Sequence, residues 1–128
     1  MDAGLEVLAS PKIRIELYGM FGEREKPQFF DAIIDTGFTG GISMPVAQAL
    51  PLGLVLFSVA TFVLADGSKE QAFLCLGSAK IDGREKSITF SLSQGGEILL
   101  GTEFLEAFNS KLCLDYKTKQ FTLEAQDV

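Results

Sequence analysis

No charged side chain occurs between Thr36 and Ala65, and the second half of that run, Leu50 to Ala65 (LPLGLVLFSVATFVLA), is almost wholly apolar. Such a stretch has to leave water, either into a membrane or into a protein interior. Pro45, Pro51, Gly40, Gly41 and Gly53 interrupt any spanning helix, and the run is flanked by Asp35 and Asp66, where a span would carry basic anchors. After Pro51 the residues Val55, Phe57, Val59, Phe62 and Val63 are β-branched or aromatic, a composition that favours strand over helix. We therefore expect no membrane partner, and read the run as buried on both faces, inside the core or against a second subunit.

Strand signals extend over most of the remaining chain. Ile13, Ile15 and Leu17 alternate with Arg14, Glu16 and Tyr18, the period of a half-buried strand, and Phe29 to Ile34 reads as a second strand after a polar, Gly-bearing turn from Gly19 to Lys26. Pro45 to Leu50 reads as a short helix with Pro45 in its first turn and Pro51 ending it. Asp66-Gly67 and Asp82-Gly83 carry the chemistry of two-residue type I′ hairpin turns. The first joins Ser58–Leu64 to Glu70–Gly77, and the second joins Leu76–Ile81 to Ser87–Leu92. Thr102 is placed to cap a helix from Glu103 to Phe108, and Lys111–Asp115 with Gln120–Glu124 form a last hairpin. The expected fold class is all-β dominated with one or two short helices. No repeat, linker or change of composition divides the 128 residues, so one domain over 1–128 is expected, with its core from about 13 to 124.

Composition limits the chemistry. The chain has no histidine, which removes Ser-His-Asp and Cys-His nucleophiles, His-containing zinc and iron sites, and imidazole proton shuttles. We expect neither metal nor cofactor. Its two cysteines, Cys75 and Cys113, lie in alternating apolar stretches and read as reduced core residues, with a disulfide as the alternative. A net charge of -6 without a basic cluster argues against nucleic acid as a partner. The first residues, Met-Asp-Ala-Gly-Leu-Glu, lack a basic segment followed by an apolar one, so a cytoplasmic location is the default expectation.

The residues best suited to chemistry are Ile33-Ile34-Asp35-Thr36-Gly37, where an apolar strand delivers a carboxylate to the core's edge and Gly lets the backbone turn closely beside it. Alone, Asp-x-Gly is also a common turn. A second element, Ile98-Leu99-Leu100-Gly101 leading into the Thr102–Phe108 helix, adds to it. With the Leu64-Ala-Asp-Gly-Ser68 hairpin and the closing hairpin, this ordered set resembles the retropepsin-like (clan AA) aspartic proteases over roughly Ile13 to Leu123. The form Asp-Thr-Gly-Phe-Thr-Gly followed by Met44-Pro45 is most similar to the small prokaryotic, single-domain members.

The resemblance implies a retropepsin-like β-barrel acting as a homodimer, with peptide or protein as substrate. In that reading Asp35, Thr36 and Gly37 are the catalytic residues: Thr36 bonds across the two-fold axis and Gly37 offers its carbonyl to substrate. Phe38, Asp66 and Gly67 would contact substrate, the last two as a flap. The chemistry gives an independent reason for two copies. Attack of water on a carbonyl needs one ionised and one protonated group together, and this chain has a single Asp-Thr-Gly. Two carboxylates about 3 Å apart repel each other and share one proton, so Asp35 from each of two subunits would meet the need. Retroviral members place an ion-paired Asp and Arg where this chain has Thr39 and Thr102, which reads as an ion pair replaced by two hydroxyls. Two function classes follow: an aspartic endopeptidase, or a catalytically silent module that dimerises or binds extended peptide.

Overall fold

Alternation in the first long strand is visible in its burial. In the computed structural model, which describes residues 2–3, 11–20, 28–63 and 65–126, Ile13, Ile15 and Leu17 are buried and Lys12 and Arg14 exposed. The elements in chain order are β1 (Asp2–Ala3), β2 (Lys12–Tyr18), β3 (Phe29–Ile34), β4 (Ile42–Pro45), α1 (Val46–Ala49), a 3-10 turn (Leu50–Leu52), β5 (Val55–Val63), β6 (Lys69–Ile81), β7 (Arg84–Ser93), β8 (Leu99–Leu100), α2 (Thr102–Ala107), β9 (Ser110–Asp115) and β10 (Gln120–Ala125). The all-β expectation with two short helices is met.

The larger sheet runs β2-β3-β8-β4-β7-β6-β5, and β6 also pairs with β2, so the order returns to its starting strand. The smaller sheet is β1-β10-β9. β8, only Leu99 and Leu100, lies parallel to β3 and antiparallel to β4, with Leu100 facing Ile34 on one side and Ile42 on the other. The core includes Phe90, Phe104, Phe108, Phe121, Met44 and Leu100, each at most 2% exposed. Phe104 and Phe108, one turn apart on and just beyond α2, meet at a ring-centroid distance of 4.9 Å. The buried residues form one cluster that spans Ile13 to Leu123.

Four local readings need correction. The helix after Pro45 stops at Ala49, and Pro51 lies within the 3-10 turn that follows, because a proline early in a helical turn loses no hydrogen bond. The cap of α2 is Gly101, not Thr102, which is the helix's first residue. Cys75 is a buried free thiol, its ionisation pushed up by desolvation, whereas Cys113 is also free but exposed. The type I′ turn holds at Asp82-Gly83, both at positive φ (50 and 80), but fails at the first hairpin. There the strands part at Val63 and Lys69, and among the described residues of the turn only Gly67 has positive φ, at 85. Of the turn expected at Gly19 to Lys26, residues 21–26 lie outside the described residues.

The uncharged run divides. Ile42, Met44, Ala49 and Leu52 are buried, but Leu50, Leu56, Phe57, Val59 and Val63 are between 49% and 72% exposed in the single chain. Its β5 half is therefore not core. No helix among the described residues is long and apolar enough to cross a membrane.

Candidate active site

The Asp35 loop is held from both sides by backbone hydrogen bonds. Ile33 N–H donates to Ile98 O (2.8 Å), Ile34 N–H to Pro11 O (2.8 Å) and Asp35 N–H to Leu100 O (2.9 Å), which fixes the end of β3 on β8. Beyond it the chain turns: Gly37 N–H donates to Asp35 Oδ1 (2.9 Å) and Phe38 N–H to Asp35 O (3.1 Å). Asp35 is half-buried, while Thr36 and Gly37 are exposed. The arrangement presents one carboxylate, orientated by its own loop and open to solvent, at the rim of an apolar core.

The carbonyls of this loop also complete the start of α2. Gly101 N–H donates to Gly41 O (2.8 Å), Thr102 N–H to Phe38 O (2.8 Å) and Glu103 N–H to Gly40 O (3.2 Å). The first amides of a helix have no partner inside it, so the loop satisfies donors that a side-chain cap would otherwise take. This is why Thr102 does not cap: its hydroxyl instead donates to the Thr39 backbone carbonyl at 3.4 Å. The pairing of Thr39 with Thr102 is thus hydroxyl to backbone, not hydroxyl to hydroxyl. A Cβ on Gly101 would lie 2.1 Å from Gly40 O and 2.6 Å from Phe38 O, and a Cβ on Gly40 would lie 2.6 Å from the Phe38 ring. Gly40 and Gly101 therefore allow the close approach on which the loop depends. The sequence offered Gly101 and Gly40 only as motif residues, Gly40 also as a helix breaker, and assigned neither this packing role; the one available signal was the clustering of glycines behind Asp-Thr-Gly.

Phe38 is half-buried and walls a cavity of about 120 Å³ together with Gly40, Gly41, Leu74, Thr89 and Ser91. Asp35, Thr36, Gly37 and Phe38 are thus brought together in one loop. Asp66 and Gly67 are not part of it: they sit at the tip of the β5–β6 hairpin, where the Asp66 carboxylate accepts from Ser68 of the same tip. Leu74 of β6 is the point at which that hairpin reaches the Phe38 cavity. A larger cavity of about 280 Å³, lined by residues including Leu50, Leu56, Phe73, Cys75 and Leu92, contains no residue of the Asp35 loop and no charged group.

At the tip, Asp66 Oδ1 accepts from Ser68 N–H (2.9 Å) and Ser68 Oγ–H (2.5 Å). These two bonds, the side-chain one first, hold the Asp66 carboxyl below the ordinary carboxylate range. A depressed carboxylate favours the folded turn above the ordinary range, and that contribution fades as the pH falls through the lowered value.

The chain has the fold of the retroviral proteases. It superposes on the EIAV protease complexed with the inhibitor HBY-793 with a TM-score of 0.58 at 17% identity, covering 82% of this chain and 93% of that one. The simian foamy virus (mac) protease in solution gives 0.54 at 18% identity, covering 74% and 91%. The retroviral protease-like domain of Ddi1 from Leishmania major gives 0.50 at 13%, covering 88% and 87%. No protein-family model matches the sequence, and no curated protein matches it.

Proposed function

We propose that the protein is an aspartic endopeptidase in which Asp35 of two identical subunits forms the catalytic pair. The reading is carried by one observation: in a retropepsin-like fold, the half-buried Asp35 carboxylate is held at the end of an apolar strand by Gly37 N–H, in a loop clamped to α2. A lone carboxylate cannot accept a proton from water and donate one to the carbonyl oxygen in the same step, so the second group comes from a second copy. The ionised Asp35 takes the proton from the attacking water, and the protonated one gives its proton to the carbonyl oxygen. Electrostatic repulsion between the two keeps a single proton shared. In this reading Thr36 and Gly37 support the pair and the substrate backbone, and Phe38 shapes a side-chain pocket. The exposed apolar face of β5 meets the partner subunit or the substrate. The chain acts as one domain, without cofactor, on a peptide bound as an extended strand.

The test is cleavage of a peptide library by the purified chain from acidic to neutral pH, with sedimentation in parallel. Cleavage that requires the dimer is expected; a dimer that binds peptides but cleaves none identifies the silent module instead.

The flap gives a separate prediction. Gly67 has φ 85 with nothing within 4 Å of a built Cβ, so Gly67→Val meets no clash, only a backbone conformation that a β-branched residue adopts poorly. Turnover should fall by about 10-fold or more, the equivalent of at least ~1.4 kcal/mol of transition-state stabilisation, while Tm falls by only a few degrees. Unchanged turnover would make this hairpin an ordinary surface turn.

A further inference from the structure

Facing residues of an antiparallel ladder share a face, so the register of β5 on β6 sorts the side chains of this hairpin. Leu56 faces Cys75, Val59 faces Phe73, Thr61 faces Gln71 and Val63 faces Lys69. Cys75, Phe73, Gln71 and Lys69 alternate along β6, which sets all of these residues on one side. In a regular strand Leu56 and Val59 would point to opposite sides. The irregularity between Leu56 and Ser58 inserts the residue that brings them together. The other side carries Ser58 and Leu74, and Leu74 reaches the Phe38 cavity, so that side is the one left to peptide.

The first side opens inward into the cavity of about 280 Å³. Its floor, formed by Ala49, Cys75 and Leu92, is buried. Its mouth is Leu50, Leu56 and Phe73, which are between 48% and 72% exposed. An apolar cavity of about 150 Å³ is enough to hold benzene, and at about 30 Å³ for each water-sized unit the present one holds about nine methylene groups. Its open apolar mouth admits such a chain from solvent.

Outward from the cavity the same side changes character. Past Phe73 and Val59, which are 48% and 49% exposed, come Thr61 and Gln71 and then Lys69. These three offer a hydroxyl, an amide and an ammonium, all exposed and all able to donate. Lys69 is the only charged residue on this side of the two strands, and it makes no ion pair among the described residues. Glu70 lies on the opposite side, and the Asp66 carboxylate is taken up by Ser68. From Cys75 to Gln71 the strand rises about 13 Å. An extended chain advances about 1.2 Å per bond, so about eleven bonds join the cavity floor to the donors.

We propose that this side of the β5–β6 hairpin binds a single-chain alkyl carboxylate of about ten to twelve carbons, its tail in the cavity and its carboxylate at Thr61, Gln71 and Lys69. The two measures of length agree: the volume holds about nine carbons, and the path adds those that cross Phe73 and Val59. The bound chain covers Leu56, Val59 and Phe73, which otherwise stand in water. The charge on this side selects an anionic head. A two-chain phospholipid fits worse, because the cavity has room for one chain.

The test is calorimetric titration of the purified chain at low ionic strength with sodium decanoate, sodium hexanoate and 1-decanol. Decanoate should bind as one molecule per chain. Hexanoate should bind about 100-fold more weakly, since each methylene is worth about 4-fold. Lys69→Glu should weaken decanoate about 5-fold and leave 1-decanol within about 2-fold. Lys12→Glu, an equal change of net charge on β2, should alter neither. Leu56→Glu should weaken both at least about 10-fold, because it sets a carboxylate in the apolar mouth. The three substituted positions are exposed, and unchanged melting curves verify the fold of each variant. Absence of saturable decanoate binding, several molecules bound per chain, or equal losses in Lys69→Glu and Lys12→Glu each overturn the proposal. Sedimentation with phosphatidylcholine vesicles in place of decanoate binding also overturns it, and makes this side a membrane surface. No reading depends on cleavage. A chain that binds decanoate and cleaves no peptide keeps the site and loses the protease; an active enzyme that binds no decanoate does the reverse.

Discussion

On the proposed mechanism, Asp35→Asn is expected to reduce peptide cleavage by at least about 10³-fold while leaving folding and any dimer intact. In a symmetric dimer the substitution replaces both members of the pair, and an amide neither accepts a proton from water nor carries one to donate, so general acid and general base catalysis are lost together. The fold is insulated from the change. The Asn carbonyl oxygen can stand where Asp35 Oδ1 stands and accept the same Gly37 N–H, which is 2.9 Å away. The strand-end bond from Asp35 N–H to Leu100 O belongs to the backbone and is untouched. If the two Asp35 side chains meet as proposed, association should hold or tighten, because the substitution removes two opposed carboxyls from the pair. Turnover, a thermal melt and sedimentation on the same preparation separate these effects. Retention of wild-type turnover by the pure variant would remove Asp35 from the mechanism, and loss of dimer alone would make it a structural residue.

What was legible in the sequence was whatever a local pattern alone determines. Ile13, Ile15 and Leu17 announced β2 by period, and Asp82-Gly83 announced a tight turn because both residues take positive φ there. The same dipeptide at Asp66-Gly67 misled, since Ser68 offers Asp66 two local hydrogen bonds and the strands separate before the tip. Thr102 misled for a different reason. A helix start needs acceptors, and here they come from Phe38 and Gly40, more than sixty positions away, which no local reading could supply. Cys113 shows the third kind of miss: alternation predicts which residues share a face, but which face meets the core depends on Phe121 and Leu123 of the neighbouring strand. At the candidate site the Asp-Thr-Gly signal and the Leu99-Leu100-Gly101 signal were each readable. That the second physically carries the first, through β8 and the start of α2, was not.

That dependence makes Gly101→Ala the most damaging small substitution expected near the site. Gly101 has φ -95 and ψ -174, an extended conformation open to any residue, so the penalty does not come from the backbone. It comes from contact. The new methyl would lie 2.1 Å from Gly40 O and 2.6 Å from Phe38 O, and neither atom can swing aside, because both are main-chain acceptors already bonded to Glu103 and Thr102 N–H. Relief requires the 38–41 loop to move away from α2, which breaks those bonds and leaves the first amides of the helix without partners. Forced overpacking of this kind costs about 1–3 kcal/mol, and here lost hydrogen bonds add to it. A fall in Tm on the order of 10 °C is expected. The displacement also passes to Asp35, whose carbonyl accepts the Phe38 amide at 3.1 Å, so cleavage should drop by about 10²-fold, as a misplacement of about 1 Å does in a pre-organised site. Gly95→Ala is the control, since nothing lies within 4 Å of a Cβ built there and its φ is not in the left-handed region. It should melt and turn over like the parent chain. If Gly101→Ala does the same, the close contact between the Asp35 loop and α2 is not what holds the carboxylate in place, and the loop must be positioned through β3 and β8 alone.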